Sequence, residues 1–269
     1  MKVGHIISIV LISILIGIAS NLSFTYLTTE RLSNDEKTFI KLLEDDWENT
    51  LQENPFFASL LGDERFNDQV TCALKQLGIS SLEAILLHYP KDILENKNFE
   101  LIHFLSNLKK DGVIKKIGVS IYEKNELEEI LKIFKPEIIQ CPINLFDNRL
   151  LEKNYLEEIS NKGIEVHIRS IFLQGLLLFK KEEMPQEFLK FQNIWQEWYN
   201  WLKIIKLNPL EACIRYTNSI KGVDKIVVGI NSANQLKQII KYMRKPKLYK
   251  GPNWQNPIST ELIDPRLWK

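Results

Sequence analysis

The sequence predicts an α/β fold, a parallel sheet of five β/α units preceded by a helical N-terminal segment. Three observations carry that expectation. Five short apolar runs recur from residue 71 onward, stretches of helical spacing separate them, and residues 28–70 show the helical pattern alone. Strands that alternate with helices build parallel sheets, because each crossover returns the chain to run in the same direction.

Composition sets the outer bounds. The chain has 269 residues, 45% hydrophobic and 26% charged, an ordinary globular balance. With 35 basic and 34 acidic residues the net charge is +1, and no basic stripe is visible, so no nucleic-acid partner is expected. Cys72, Cys141 and Cys213 are far apart, odd in number and outside any C-x-x-C spacing. His5, His88, His103 and His167 form no H-E-x-x-H. Neither a disulfide framework nor a metal site is expected.

The chain opens "MKVGHIISIVLISILIGIASNLSF", where one lysine precedes an apolar run at residues 6–19 and Gly17, Ala19 and Ser20 stand where a signal peptidase needs small residues. Residues 1–20 therefore read as a signal peptide or membrane anchor. Flanks and length favour the cleaved signal. Extension through "NLSFTYL" would instead give a span near the roughly 20 residues an anchor requires, with membrane contact through residues 6–27. Residues 21–70 read as a helical segment unrelated to the rest of the chain, with Phe39, Leu42, Leu43 and Trp47 at helical spacing. It closes in "ENPFFASLLGDERFND", an Asn-Pro break followed by a Gly-Asp stop. Residues 32–68 resemble the opening of an exported, metallopeptidase-like bacterial family of unknown function, and carry no catalytic motif.

Beyond residue 71 the strand runs are "EAILLHYP", "IKKIGVS", "EIIQCPIN", "IEVHIRS" and "DKIVVGI". Helices are expected at residues 99–110, 124–134, 150–162, 210–220 and 233–242. Between the fourth and fifth strands lies "FLKFQNIWQEWYNWLKII", whose Phe188, Phe191, Trp195, Trp198, Tyr199 and Trp201 repeat with helical spacing. A packed helix covering the sheet is the favoured reading over a base-stacking platform, since no basic groove accompanies it.

In parallel β/α architectures functional side chains sit at the C-terminal ends of strands. Those ends hold His88, Ser120, Gln140 with Asn144, Arg169 with Ser170, and Gly229 with Asn231 and Ser232. Taken in order, "LKQLGISSLEAILLHYP", "LKKDGVIKKIGVSIY", "KPEIIQCPINLFDNRLL", "NKGIEVHIRSIFLQGLLL" and "VDKIVVGINSANQL" resemble the aldo/keto reductase family over about residues 74–242. Any one of these motifs is weak, whereas five in order and at matching spacing are specific.

The resemblance implies a (β/α)8 TIM barrel that passes a hydride from a nicotinamide cofactor to a small carbonyl substrate, an aldehyde or ketone. NADP(H) is the usual cofactor, with NAD(H) as the alternative. The family's catalytic set is an aspartate, a tyrosine, a lysine and a histidine. His88 matches the histidine, whose ring would donate to the carbonyl oxygen as negative charge develops there. Ser120 and Gln140 match residues that bind the nicotinamide carboxamide, although the frequent asparagine beside that serine is Ile121 here. Arg169 stands where many members place a tyrosine under the nicotinamide ring, and a planar guanidinium can also cover a ring face. Ser170, Phe172 and Gln174 fall in the turn along the pyrophosphate. Gly229, Asn231, Ser232 and Gln235 fall where a helix N-terminus favours phosphate. The lysine and arginine that grip the 2'-phosphate in many members are Gly229 and Gln235, so the choice between NADP and NAD stays open.

The match begins just before the family's fourth strand. Residues 71–269 are accordingly expected to form a partial (β/α)8 TIM barrel, its last five β/α units. The aspartate, tyrosine and lysine would belong to three units without a match here, so the lone chain is expected to be inactive and to need a partner chain to close the barrel. A catalytically dead fusion fragment, truncated and joined near residues 67–72, and an exported interaction module are the alternatives. The N-terminal run points to export or the inner membrane and the reductase part to the cytoplasm, a conflict the sequence leaves standing.

Overall fold

The computed structural model describes residues 65–89, 91–94, 99–255 and 257–268. The signal or anchor, the membrane contact at residues 6–27 and nearly all of the metallopeptidase-like stretch lie outside the described residues. Among the described residues no helix is long and apolar enough to cross a membrane. The chain divides into two compact units after Gly78. Of the first, helix α1 (Arg65–Leu77) is described, and it runs through residues 67–72 without a break.

From Ile79 onward the second unit is built on five parallel strands in the order β1-β2-β3-β4-β5. They are β1 (Leu82–Leu87), β2 (Ile114–Ser120), β3 (Ile138–Pro142), β4 (Glu165–Arg169) and β5 (Lys225–Ile226). Between and after them run helices α2 (Lys91–Leu94), α3 (Phe99–Lys110), α4 (Lys124–Ile130), α5 (Tyr155–Asn161), α6 (Gln192–Ile205), α7 (Pro209–Thr217), α8 (Ala233–Met243) and α9 (Thr260–Ile263). Side chains alternate across a strand, and the two faces differ in chemistry. One face sends Val119, Ile139, Cys141, Val166 and Ile168 into a core with Leu127, Ile130, Leu156, Ile159, Ile214 and Ile239 from the helices. The opposite face carries Ser120, Gln140, His167 and Arg169, all buried and all polar.

All five strand runs form strands, with three local differences. The run at residues 224–230 pairs as a strand only over Lys225–Ile226, with one more bond from the Val227 N–H to the Ile168 carbonyl. Among the described residues it has a ladder on one side only, so its far end has no second neighbour to hold it extended. The helix expected at 150–162 divides at Lys153 and Asn154, whose φ of 52° and 60° are left-handed, into a 3-10 turn (Arg149–Asn154) and α5. The helix expected at 124–134 ends as α4 at Ile130.

The aromatic segment is packed, as periodicity indicated, but its place corrects the expectation. Phe188, Trp195 and Trp198 of the 3-10 turn Gln186–Phe191 and of α6 are buried in a second core. With them are buried residues of the loops after β3 (Leu145, Phe146) and β4 (Leu173, Leu176, Leu177), of helix α7 (Ala212, Cys213) and of the C-terminal segment (Leu262, Ile263). The helix thus consolidates the loops beyond the strand ends and backs α7, whose Ile214 packs into the sheet's own helical layer.

At the opposite end of the strands a charged cluster ties the sheet together. Glu165 receives Lys116 Nζ and Lys225 Nζ, each at 2.6 Å, and lies 2.8 Å from His167 Nε2. Burial on its own raises the Glu165 pKa, yet the bonds from Lys116, Lys225 and His167 outweigh it and bring the carboxyl down from 4.5 to about 2. Because the folded pKa lies below the unfolded one, this stabilisation is complete above about pH 4.5 and drains away as pH falls toward 2. The expected contribution, discounted for partial solvent screening, is on the order of 1–2 kcal/mol. Urea midpoints measured across that window should fall steeply for the native chain and flatten in Glu165→Gln; parallel slopes would refute the assignment.

Candidate functional site

Register brings the polar face together. Ser120 on β2 is the direct partner of Gln140 on β3, and Gln140 in turn of His167 on β4. Two residues further along, Pro142 faces Arg169, the last residue of β4. Ser120 is 1% exposed, Gln140 3% and Arg169 7%. These three form the floor of the site at the strand ends.

Arg169 reaches across the sheet. Its guanidinium donates to Ser120 Oγ and to Ser170 Oγ, both at a long 3.4 Å, and its Cζ lies 4.4 Å from the centre of the Tyr122 ring. No carboxylate among the described residues forms an ion pair with it. Its Nε and the Gln140 Nε2 are buried without a hydrogen-bond partner. Buried donors are nearly always satisfied, so two orphans in one place call for an acceptor from outside the chain.

His88 stands just beyond β1 with its ring exposed and Tyr89 edge-on at 4.9 Å. What burial the ring has, and next the positive charge of Arg169, lower the His88 pKa below its ordinary 6.5. The imidazole is therefore neutral at pH 7, with one N–H to donate. Ile121 sends its side chain into the helical-layer core, and its N–H donates to the Gln140 carbonyl at 2.8 Å.

The loop after β4 is conformationally unusual. Ser170, Leu173 and Gln174 all have positive φ, at 57°, 48° and 53°, a cluster of left-handed non-glycine residues of the kind that gathers at functional sites. Asn144, itself fully buried, holds the loop by donating from Nδ2 to the Ser170 carbonyl at 3.1 Å, while its Oδ1 accepts from the N–H groups of Phe146 and Asp147. Phe172 is half-buried between the two cores and Gln174 is exposed.

Gly229, Asn231, Ser232 and Gln235 lie together and exposed at the start of α8. Ser232 caps the helix, its hydroxyl accepting from the Gln235 N–H at 3.3 Å. Gln235 Oε1 in turn accepts from the Asn231 N–H at 2.7 Å. The segment thus spends two N–H donors on itself, and neither Gly229 nor Gln235 is a cation.

The sequence reading passed over a further layer. Arg266, in the 3-10 turn Pro265–Leu267, brings its Cζ to 3.6 Å from the Tyr122 ring centre. Asp264 holds it through Oδ1 to Nε (2.9 Å) and Oδ2 to Nη2 (2.6 Å). Asp147 holds Arg149 through the same fork, at 2.9 Å to each nitrogen. The signal was present as two Asp-x-Arg tripeptides, "DNR" and "DPR". The buried thiols are inert by contrast, burial having pushed Cys141 up to about 12 and raised Cys213 as well.

A sequence model described as the aldo/keto reductase family matches residues 52–250. An uncharacterized oxidoreductase of Bacillus subtilis, YtbE, is 35% identical over 108 residues, 39% of this chain and 36% of its own. An NADH-specific methylglyoxal reductase of Escherichia coli is 27% identical over 167 residues, 60% of this chain and 50% of its own. The chain thus spans about a third to a half of the length of these curated relatives. Among solved structures, the apo form of an aldo-keto reductase from Bacillus halodurans superposes with a TM-score of 0.54 at 18% identity, covering 80% of this chain and 84% of that one.

Proposed function

Since the chain belongs to the aldo/keto reductase family, we propose that its five strands form the cofactor-binding and carbonyl-orienting part of an NAD(P)(H)-dependent reductase of small carbonyl compounds. The observation that carries this reading is the pair of orphaned buried donors, Gln140 Nε2 and Arg169 Nε, beside Ser120 on adjoining strand ends. They fit a planar group bearing an amide, which the nicotinamide ring is. Ser120 and Gln140 would hold its carboxamide, Arg169 would lie under the ring, and the left-handed loop at Ser170, Phe172 and Gln174 would follow the pyrophosphate. When bound, the reduced nicotinamide supplies the hydride.

His88 holds the carbonyl oxygen. A neutral imidazole N–H directed at that oxygen stabilises the charge that develops on it without itself losing a proton. Gly229 and Gln235 present no cation to a 2'-phosphate, so NADH should bind about as well as NADPH. The name of the Escherichia coli relative, an NADH-specific reductase, supports the same direction.

The family's aspartate, tyrosine and lysine have no counterpart by motif in this sequence. Tyr89 and Tyr122 lie near the site, and neither forms a hydrogen bond with a lysine among the described residues. We propose that the chain by itself binds cofactor and does not turn over. The test is titration of the purified chain with NADH and NADPH, followed by an assay of cofactor oxidation with methylglyoxal. Saturable binding of both nucleotides without oxidation is expected. Absence of binding would overturn the cofactor assignment, and turnover would overturn the assignment of the missing proton donor.

The sheet edges favour a further reading. Among the described residues β1 and β5 each pair on one side only, and exposed ladder edges recruit other strands. These edges support the reading that a partner chain closes the sheet. Light scattering on the purified chain should show self-association or capture of a second chain; a monomer with one cooperative unfolding transition would count against it.

A further inference from the structure

Tyr122 lies within 3.6 Å of the Arg266 guanidinium carbon and 4.4 Å of the Arg169 one, measured from its ring centre. The Tyr122 ring therefore packs against both guanidinium groups at once. Arg149, Arg169 and Arg266 all reach this end of the sheet, and they differ in one respect. Arg149 and Arg266 each carry their own aspartate in a two-pronged bond. Arg169 has no such carboxylate among the described residues, and the Tyr122 ring covers it instead.

We propose that Tyr122 and Arg266 form a latch that occupies the face of Arg169 on which a nicotinamide ring would stack, so that cofactor enters only when the latch swings aside. The proposal rests on the cofactor reading above. Tyr122 serves in it as an internal stand-in: an aromatic plane on the guanidinium, lacking the amide that would also satisfy Gln140.

The closed arrangement is incomplete in the way a displaceable one must be. It leaves Gln140 Nε2 and Arg169 Nε buried and unpaired, so a ligand offering a ring together with an acceptor replaces Tyr122 and gains bonds that Tyr122 cannot make. The strap that delivers Arg266 is anchored on both sides. Leu262 and Ile263 are buried in the second core before it, and Trp268 packs edge-on against Phe188 at 4.8 Å after it. The Arg266 side chain itself is 43% exposed. Opening therefore needs the rotation of two side chains and leaves the strap in place.

The experiment is calorimetric titration of the full chain, and of Arg266→Ala, Arg266→Lys and Tyr122→Ala, with NADH and with NADPH, each form first checked by circular dichroism. Removing a cation–π contact of this kind should tighten both nucleotides by about three- to thirtyfold in Arg266→Ala and Tyr122→Ala. Arg266→Lys, which keeps the charge and loses the plane, should fall between. Dissociation constants unchanged across the series would overturn the latch and leave the cofactor site standing. Weaker binding in Arg266→Ala would overturn it too, by showing that the arginine holds the cofactor. Absence of binding in every folded form would remove the cofactor reading and the latch with it. Should Tyr122→Ala not fold, the two Arg266 variants decide the matter, since that side chain is half in solvent.

Discussion

Trp198→Ala should destabilise the protein by about 3–5 kcal/mol, the range for deleting a fully buried aromatic. Trp198 is 0% exposed, stacked on Trp201 at 5.5 Å and edge-on to Phe146 at 5.6 Å. Around it meet the loops that come after β3 and β4 and the C-terminal strap. The damage should therefore reach beyond the cavity. The strand ends would lose the packing that fixes Phe146, two residues from Asn144, and Asn144 is what ties down the Ser170 turn. Trp198→Phe is the informative contrast. The Trp198 Nε1 is buried without a partner, unlike Trp195, whose Nε1 donates to the Phe188 carbonyl at 2.9 Å. Both substitutions remove that orphan, but phenylalanine keeps a buried ring where alanine leaves a cavity, so its cost should be well below that of alanine. Urea midpoints for the three proteins would decide. Equal losses for the two variants would mean that the ring phenylalanine retains recovers none of the packing.

Gly222→Ala should cost on the order of 3 kcal/mol, combining a left-handed backbone with a collision that cannot relax. Gly222 has φ +74°, and a methyl there would lie 2.6 Å from the Glu157 nitrogen and 2.7 Å from its Cα, backbone atoms of the first turn of α5. The turn sets the entry of β5. Two residues later Asp224 is fastened to β4, its N–H donating to the Val166 carbonyl at 2.9 Å and its Oδ2 accepting from the Val166 N–H at 2.8 Å. Gly163 supplies the control, because its φ of +77° is nearly the same while nothing lies within 4 Å of its missing Cβ. Gly163→Ala should lose only the conformational part, about 1–2 kcal/mol. If the two substitutions cost the same in urea unfolding, the contact with α5 carries no load. If Gly222→Ala is the worse, nucleotide binding should weaken with it, since β5 leads into the loop at Gly229–Gln235.

How far the sequence reaches can be seen residue by residue. The five strand runs were legible because a strand buried on both faces is a short block of β-branched residues between turn signals, and "IKKIGVS" and "EIIQC" are such blocks. Placing His88, Ser120, Gln140 and Arg169 at strand ends came from the same parsing, since a parallel sheet puts all its C-terminal ends on one side. The short β5 was not legible. "DKIVVGI" has the composition of a full strand, and its length is set by how much neighbour it has, which is a property of the sheet. The aromatic helix shows the same limit. Its spacing announced a buried face, but nothing in "IWQEWYNW" says whether that face meets the sheet or the loops beyond it.

Arg169 marks the division most sharply. By itself the sequence determined that an arginine stands after "EVHI" at a strand end, and the resemblance made it a candidate for the floor of a nicotinamide site. That no carboxylate among the described residues pairs with it, that its Nε and the Gln140 amide are left unpaired, and that Tyr122 and Arg266 close over it were decided by tertiary structure alone. The physical reason is range. Strand, turn and capping preferences act over a few neighbouring residues and are written locally, whereas Arg266 meets Tyr122 across more than half the chain, through a contact that exists only once two separate cores have set the distance.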